Sequence, residues 1–509
     1  MKRGALAVIA VWLASTLLWL TPGISRPDGA GYFAYLPSTY FDRDLLFFDE
    51  WARIGLVRPD GQILFKDVTE TAHLSNHWTA GASLAWYPAF VIGDLLARVT
   101  GAPRDGFSTP YVAAVVTMTA LAGLLTLLLG TAMANGKAAI AVWLGSPLAY
   151  YSLRAPTMSH AISALACAVV VWLSARKQSA FAIGLAIGFA CAVRPQNAPI
   201  ALVPFFFGWR LAVGGWRGIL GGALLAALPQ FIVSQTLWGA PLAFVNIGGS
   251  AHPWQMFATF RPFETLFSWY HGLVPWTPLL VLALIGLALV KDRRLAYAGL
   301  TLFAAQWLLL SVLERWFWGG ASFGQRRFDS CTLFFIIGVA AFLERVPRWL
   351  GALSAIAATS WTMLLFVASS RLNLNRYATP SELLEAFGAA LDDPRWRAPL
   401  GFMPPEMRGD VLLALVVTAP AVVALGFAVR KAPVAVAAAY LALMSAFFAW
   451  CGLHPKHDAL SRTLLARPQI AGAKRDTITL LLYEAEYMER TGRPREAAKA
   501  RAEAAGMGP

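Results

Sequence analysis

The sequence predicts an all-α polytopic membrane protein with about thirteen transmembrane helices, and three observations lead to this fold class. Of the 509 residues, 58% are hydrophobic and only 14% are charged, well below the roughly 25% charged residues of an ordinary soluble domain. Apolar runs of at least about 17 residues, long enough to cross a bilayer, recur from residue 4 to residue 451. Lysines and arginines fall in short clusters between these runs, as cytoplasmic anchors do, so the net charge of +14 does not indicate a nucleic-acid partner.

Charge decides how the chain threads through the membrane. The run 4–20 is interpreted as a retained first helix rather than a cleaved signal peptide, because many spans follow it. The run 81–97 contains Asp94, and a mid-helix aspartate costs roughly 2.5 to 3.5 kcal/mol on insertion scales. If this run does not cross, the later basic clusters all fall on the side of Lys2 and Arg3. We therefore expect it to lie in the interface, with Trp86 at headgroup level.

This threading divides the chain into a membrane domain over residues 1–452 and a C-terminal tail over residues 453–509. The membrane domain contains a large first outer loop, residues 21–108. In the tail, residues 476–505 form two short amphipathic runs around Pro494, which is tolerated near the start of a helix. They resemble one helix-turn-helix repeat of the tetratricopeptide type. Because a single repeat cannot bury its own face, we expect this short helical hairpin to dock on the membrane domain or on a partner.

The first outer loop begins with an acidic stretch, "SRPDGAGYFAYLPSTYFDRDLLFFDEW". It gathers Asp28, Asp42, Asp44, Asp49 and Glu50 among aromatic residues. Solvated loop charges and helix caps are one interpretation. The aromatic surroundings favour another, in which the carboxylates lie partly buried against the bilayer. A desolvated carboxylate has a raised pKa and can act as a base.

Basic side chains occur on the same predicted side of the membrane. "FWGGASFGQRRFDS" contains Arg326 and Arg327, "YSLRAPTMSH" contains Arg154 and His160, and "AVRPQNAP" contains Arg194. Taken singly, each arginine can be an anchor that snorkels to the interface. Arginine forks also suit phosphate oxygens. A general base and a phosphate clamp at one membrane face describe the transfer of a group from a lipid phosphate to a hydroxyl, so we expect a carboxylate of the acidic stretch and the Arg326–Arg327 pair to share a pocket.

The order of these motifs carries a family resemblance. "PDGAGYFAYLPS", "DRDLLFFDEW", "HLSNHWTAGASLAWYP", "RPQN", "VPWTPLL" and "WFWGGASFGQRRF" follow one another over roughly residues 1–450. The chain resembles the GT-C superfamily of integral-membrane glycosyltransferases, near the protein O-mannosyltransferases and aminoarabinose transferases. The resemblance implies a large first outer loop with juxtamembrane helices. It also implies a sugar donor on a polyprenyl phosphate, inversion at the sugar, and a site on the periplasmic face of a bacterial inner membrane.

The resemblance also implies roles for residues of this chain. Asp28 corresponds to the general base, and Asp42 and Asp49 are supporting acidic residues that orient the acceptor or hold a divalent ion, Mg or Mn, with no tightly bound cofactor otherwise. The acceptor is a hydroxyl on a lipid-linked glycan, a surface polysaccharide or a protein. The candidate substrate-binding residues are Tyr32, Tyr35, His77, Arg154, His160, Arg194, His252, His271, Arg326 and Arg327.

Two other functional classes stay open at this point. A lipid-linked glycan flippase or secondary transporter would carry internal repeats and ionisable groups near the midplane. No repeat is visible, and the charged groups gather at one face instead. An outer-leaflet ligase that moves a whole lipid-linked glycan would share the basic and aromatic loops, but it would not need the acidic first loop.

Overall fold

The structure is a computed structural model that describes residues 2–25, 27–54, 68–69, 71, 73–208, 215–243, 260–313, 322–374, 378–453, 472–490 and 493–507. Within these ranges the chain is helical, and the extended pairing is limited to an isolated bridge between Val68 and Leu74. The predicted all-α polytopic fold is confirmed.

We number the helices of ten or more residues. They are α1 (Lys2–Trp19), α2 (Asp28–Pro37), α3 (Gly81–Thr100), α4 (Thr109–Met133), α5 (Gly136–Gly145), α6 (His160–Ala175), α7 (Ala180–Val193), α8 (Trp216–Trp238), α9 (Leu279–Leu289), α10 (Arg293–Leu313), α11 (Thr332–Arg345), α12 (Arg348–Ala368), α13 (Pro380–Leu391), α14 (Pro405–Val429), α15 (Pro433–Leu453), α16 (Gly472–Arg490) and α17 (Pro494–Gly506).

Among the described residues, 7 helices are long and apolar enough to cross a membrane: α1, α4, α8, α10, α12, α14 and α15. Helices α5, α6, α7 and α9 are apolar but shorter. The apolar stretch 196–213, one of the runs that predict the thirteen spans, is not one continuous helix. Its described part consists of a 3-10 helix, Pro195–Leu202, and the short helix Val203–Phe207. Prolines at 199 and 204 remove backbone donors there. The protein is a multi-pass membrane protein.

Helix α4 lies at the centre of the bundle and is buried along most of its length, whereas α14 exposes most of its surface. A helix that is apolar all round is suited to such a position. Its small residues let neighbours approach closely. A Cβ on Gly130 would lie 2.4 Å from the Ile336 side chain. The hydroxyl of Thr126 donates to the Ala122 carbonyl of the same helix at 2.9 Å, so this polar group is satisfied inside the core.

Helices α7 and α8 pack through glycine. Gly184 and Gly188 are four residues apart on α7, and a Cβ on either would lie 2.1 to 2.2 Å from the carbonyl oxygens of Ile219 and Ala223 on α8. This is the small-residue spacing that lets membrane helices approach backbone to backbone. The contact fixes the position of the C-terminal end of α7, which leads directly into Arg194.

The bundle has two chemically distinct ends. At one end, which we call the basic end, α1 begins at Lys2, α5 begins beside Lys137, and the turn between α11 and α12 holds Arg345 and Arg348. The other end, which we call the site end, contains the start of α2 and the segment before α11. Backbone contacts tie the C-terminal side of α1 to this end, since the Thr21 N–H donates to the Leu153 carbonyl at 2.8 Å.

Helix α3 is not one of the seven candidate spans, but the expectation for Trp86 was wrong. Trp86 is fully buried, and its indole N–H donates to the hydroxyl of Thr119 on α4 at 2.9 Å. The side chain is therefore part of the protein core rather than a headgroup anchor. The reason is that α3 packs lengthwise on α4, which a hydropathy pattern does not reveal.

The C-terminal hairpin is present as α16 and α17. The two helices pack against each other through Ile478 with Ala504 and through Ala485 with Ala497. Tyr483 of α16 is buried in a cluster that includes Trp51 of the first outer loop. The hairpin therefore docks on the membrane domain, while its tetratricopeptide character stays a prediction.

Candidate active site

Asp28 is the first residue of α2, and close packing fixes the position of that helix. A Cβ on Gly29 would lie 2.4 Å from the hydroxyl oxygen of Thr157. A Cβ on Gly31 would lie 2.0 Å from the indole of Trp78. The Ser25 N–H donates to the same Thr157 hydroxyl at 2.8 Å. These contacts place the start of α2 against the loop that leads into α6.

Asp28 forms an ion pair with Arg326, which comes 298 residues later in the chain. The guanidinium Nη2 of Arg326 donates to Oδ2 of Asp28 at 2.8 Å. The Asp28 side chain is 27% exposed and the Arg326 side chain 8% exposed, so the arginine lies below a carboxylate that solvent reaches. Arg326 also approaches the Met158 sulfur at 3.5 Å and the Tyr151 ring at 5.9 Å. The expected meeting of Asp28 with this arginine is observed.

The charged surroundings of Arg326 differ from those of Arg327. Burial alone would lower the pKa of Arg326, but the attraction of Asp28, Tyr151 and Tyr32 raises it above the usual value. Burial and the neighbouring Arg194 instead lower the pKa of Arg327 to about 9, against a weaker attraction from Asp28. Arg327 is still protonated at neutral pH, but its charge is held at a cost. A bound anion would reduce that cost.

A second buried group lies beside the pair and consists of His160, Arg194 and Asp329. Nδ1 of His160 lies 2.9 Å from Oδ2 of Asp329, and Nη1 of Arg194 lies 3.3 Å from Nε2 of His160. Because the arginine donates to Nε2, Nδ1 carries the proton and donates to the carboxylate. Nη1 of Arg194 also donates to the Ser159 hydroxyl at 3.2 Å. The histidine thus joins a cation to an anion inside the bundle.

Asp329 is a residue of this site that the sequence analysis missed. Its signal was its position two residues after the Arg326–Arg327 pair, in "QRRFDS". A cavity of about 20 Å³ lies between Tyr151, His160, Arg326 and Asp329. Such a cavity is large enough for about one water molecule. The surroundings of Arg326 are therefore closely packed on the side away from Asp28.

The residues predicted on the acceptor side lie around α2 in different ways. Tyr32 is buried, and its carbonyl accepts from the hydroxyl of Ser83 at 2.5 Å. Tyr35 is also buried, and its hydroxyl donates to the Trp78 carbonyl at 2.8 Å. His77 lies with its ring centroid 5.7 Å from that of Trp238 at the end of α8. Of these, the structure brings Tyr32 near the arginines, and it gives Tyr35 and His77 packing contacts.

Two other predicted residues have partners away from Asp28. The guanidinium of Arg154 donates to the Thr21 hydroxyl and lies 4.0 Å from the ring centroid of Phe402. The ring of His271 lies 4.4 Å from that of Trp276, and its Nε2 lies 3.0 Å from the Leu374 carbonyl. Both side chains therefore join loops of the site end to one another. Burial and, more weakly, the charge of Arg326 lower the pKa of His271 to about 4, so His271 also lies within electrostatic reach of Arg326.

The structure places Asp42 away from Asp28 along the chain. Asp42 ends a π-helical turn, Ser38–Asp42, that continues α2. It lies fourteen residues after Asp28 along that helical segment, which corresponds to about 20 Å at the rise of an α-helix. The side chain of Asp49 and all of His252 lie outside the described residues. No group of three or more His, Cys, Asp or Glu residues suited to a metal occurs in the described part of the chain, so we derive no step through a metal.

Other carboxylates of the acidic stretch are buried in the loop itself. Asp44 and Glu50 are each 1% exposed. Oδ1 of Asp44 accepts from the Leu46 N–H at 3.1 Å and from the Ser38 hydroxyl at 3.3 Å. Asp44 therefore stabilises the turn that follows α2. Asp28 has a side chain that is 27% exposed and an arginine partner.

Comparison with known proteins gives one structural similarity to report. No protein-family model matches the chain, and no curated protein matches it. A crystal structure of ArnT from Cupriavidus metallidurans bound to undecaprenyl phosphate matches with a TM-score of 0.44 and 15% sequence identity, covering 92% of this chain and 80% of that chain. A match at this TM-score and identity assigns no fold, activity or ligand to this chain.

Proposed function

We propose that the protein is a membrane glycosyltransferase that moves a sugar from a polyprenyl-phosphate donor to a hydroxyl acceptor. The observation that carries the proposal is the contact between Asp28 and Arg326 at 2.8 Å, with the carboxylate partly exposed and the guanidinium buried. A reachable base beside buried arginines is the arrangement that transfer from a phosphate to a hydroxyl requires.

In the proposed reaction, Asp28 accepts the proton of the acceptor hydroxyl as its oxygen attacks the anomeric carbon of the sugar. The new carbon–oxygen bond forms while the bond from that carbon to the phosphate oxygen breaks. The electron pair leaves with the phosphate. Because one displacement takes place, the configuration at the anomeric carbon inverts.

The arginines supply the other half of the reaction. Burial and the nearby charge of Arg194 lower the pKa of Arg327, so an anion beside Arg327 is stabilised. Arginine forks bind phosphate oxygens in a bidentate manner. We assign the phosphate of the donor to Arg326, Arg327 and Arg194, with the His160–Asp329 contact orienting Arg194. Charge that develops on the leaving phosphate is then met by donors already in position.

A groove at the site end suits the lipid part of the donor. It has a volume of about 570 Å³, lies between α8 and α15, and is lined by apolar residues such as Leu228 and Ala449 with His73 at one edge. The ring of His77, four residues after His73, lies tilted against that of Trp238 of α8, with centroids 5.7 Å apart. A polyprenyl chain has the chemistry that this lining accepts.

The proposed orientation puts this reaction at the outer face of the inner membrane. Lys2, Lys137, Arg345 and Arg348 gather at the basic end, and basic loops stay in the cytoplasm. Asp28 and Arg326 lie at the opposite end of the bundle. The same orientation excludes a cytosolic nucleotide sugar as the direct donor.

The test is an Asp28→Asn variant in a strain that lacks the chromosomal gene. Mass analysis of surface polysaccharide, lipid and protein from the deletion strain first identifies the missing sugar and its acceptor. We expect Asp28→Asn to reduce restoration of that sugar by about 10²- to 10⁴-fold, the contribution of a general base. Asp392→Asn is the matched control, since Asp392 is an exposed aspartate at the end of α13.

Equal membrane amounts of each variant are checked by immunoblot. Full restoration of the sugar by Asp28→Asn would overturn the proposed base. It would then favour the transporter alternative, for which this carboxylate is dispensable.

A further inference from the structure

A large groove occurs at the basic end, on the opposite side of the bundle from Asp28. It has a volume of about 870 Å³ and lies between the start of α1, α5, the end of α11 and the first half of α12. Its walls are apolar, with residues such as Ile140, Leu144 and Ile356. One end is closed by a tight contact, because a Cβ on Gly136 would lie 2.7 Å from the carbonyl oxygen of Gly4.

The depth of the groove corresponds to one leaflet of a bilayer. Its lining on α12 extends from Arg348 to Ser360, a rise of about 18 Å at 1.5 Å per residue. Half of a hydrocarbon core of about 30 Å is about 15 Å. An acyl chain that enters from the interface at Arg348 therefore finds apolar wall over the thickness of its leaflet.

Charge at the mouth selects the headgroup. Lys137 and Arg348 lie in the lining, and both are exposed. Glu344, also exposed, is the acidic residue of the lining. Lys2, Arg3 and Arg345 lie at the same end of the bundle, so basic residues outnumber the single acidic one. An anionic headgroup complements this mouth, whereas a zwitterionic headgroup brings its own cation next to these residues.

We propose that this groove is a binding site for an anionic glycerophospholipid of the leaflet on the basic side. One acyl chain occupies the apolar wall between α5 and α12, and the phosphate lies between Lys137 and Arg348. The site is separate from the proposed transferase site, because it lies at the other end of the bundle. It does not depend on Asp28 or on the donor.

The experiment is native mass spectrometry of the full chain released from nanodiscs that contain equal amounts of phosphatidylglycerol and phosphatidylethanolamine. We expect the protein to retain phosphatidylglycerol in preference. The double variant Lys137→Gln and Arg348→Gln should lower that retention about 30-fold, since each basic residue near an anionic surface contributes about 1 kcal/mol and 1.36 kcal/mol is a factor of ten. The control removes Lys291 and Arg294 in the same way, because both are exposed residues of another basic turn.

A second pair of variants tests the apolar wall. Ala352→Trp fills the groove, since Ala352 lies in its lining. Ala357→Trp, on the same helix but outside the lining, is the matched control and is equally exposed to the bilayer. We expect the first variant to lose phosphatidylglycerol and the second to retain it, with similar thermal midpoints in detergent.

Unchanged retention in both groove variants, or equal retention of the two lipids by the unmodified protein, would overturn the site. A dimer mass without bound lipid, lost on Ala352→Trp, would instead assign the groove to a second copy of the chain. Neither result affects the Asp28→Asn experiment, which measures transfer at the other end of the bundle.

Discussion

Asp28 and Asp94 each pair with arginine near the site end, but their surroundings differ. Among the described residues, Asp94 accepts from Tyr40 at 3.1 Å, Tyr111 at 2.6 Å, Arg98 at 3.0 Å and Arg104 at 2.9 Å. Its side chain is 1% exposed. Asp28 accepts from Arg326 in the same described set, and its side chain is 27% exposed. A carboxylate whose lone pairs all accept hydrogen bonds within the protein stabilises the fold. A carboxylate with unoccupied lone pairs can accept a proton from a further group.

The same contrast applies to the arginines. Arg98 and Arg104 are about half exposed, at 53% and 45% of their side chains, and so are partly hydrated. Arg326 is 8% exposed. The guanidinium groups of Arg98 and Arg104 already donate to Asp94, so they neutralise this carboxylate and are not available to a substrate. A buried guanidinium below an open carboxylate is suited instead to a ligand that enters from above.

The largest expected effect is a difference in the rate of sugar transfer between variants of Arg326 and Arg104. We expect Arg326→Gln to lower the rate of sugar transfer by about 10²- to 10³-fold, because a positioned donor to developing charge is lost. Arg326→Lys should recover part of the rate, since an ammonium keeps the charge but not the fork. Arg104→Gln should leave transfer within about twofold. Initial transfer rates in membranes with equal protein content measure all three, and a large loss in Arg104→Gln would remove the contrast.

A smaller effect is expected on stability at Asp94. Asp94→Ala should destabilise the protein by about 2 to 3 kcal/mol, less than for a fully buried pair because Arg98 and Arg104 are half exposed. The thermal midpoint of the purified protein in detergent should fall by several degrees. Asp28→Ala should lower that midpoint less, because the Asp28 carboxylate is 27% exposed and contacts one arginine, although the buried Arg326 then loses its counter-ion. A lower midpoint for Asp28→Ala than for Asp94→Ala would reverse the assignment of the two aspartates.

The smallest expected effect is the change in thermal midpoint at acidic pH. Burial would raise the pKa of Asp94, but hydrogen bonds from Arg104, Tyr111, Arg98 and Tyr40 hold it well below its usual range. The ionised form is therefore favoured by folding, and its contribution is present above about pH 4, the unfolded pKa, and is lost as the pH falls below that value. We expect the midpoint of the unmodified protein to fall more steeply between pH 5 and pH 3 than that of Asp94→Asn. Parallel curves would show that Asp94 is not the titrating group.

The meeting of Asp28 with Arg326 could be predicted because the family resemblance points to Asp28 as the base and the arginines suit a phosphate at the same membrane face. A positive-inside threading already places the two motifs on the same side. Asp329 could not be found in this way. Its partner His160 lies 169 residues earlier, and nothing in "QRRFDS" says which direction an aspartate on a 3-10 turn will face.

The partners of Asp94 and Trp86 could not be predicted from the sequence. As an isolated charge in an apolar run, Asp94 would carry an insertion penalty. In the fold that penalty is offset by hydroxyl and guanidinium donors, two of them on Arg104 and Tyr111 beyond the end of α3. The prediction for Trp86 rested on the enrichment of tryptophan at membrane interfaces. In the structure its indole N–H donates to Thr119 of α4 instead. Both depend on which helices pack side by side, which periodicity does not specify.

The long separation between Asp28 and Arg326 has a consequence for biogenesis. The ribosome adds the arginine 298 residues after the aspartate, about 15 to 60 s later at roughly 5 to 20 residues per second. During that interval Asp28 has no Arg326 to pair with. A nascent chain that ends before Arg326 lacks this cation, so the ion pair can form only after most of the polypeptide has been synthesised.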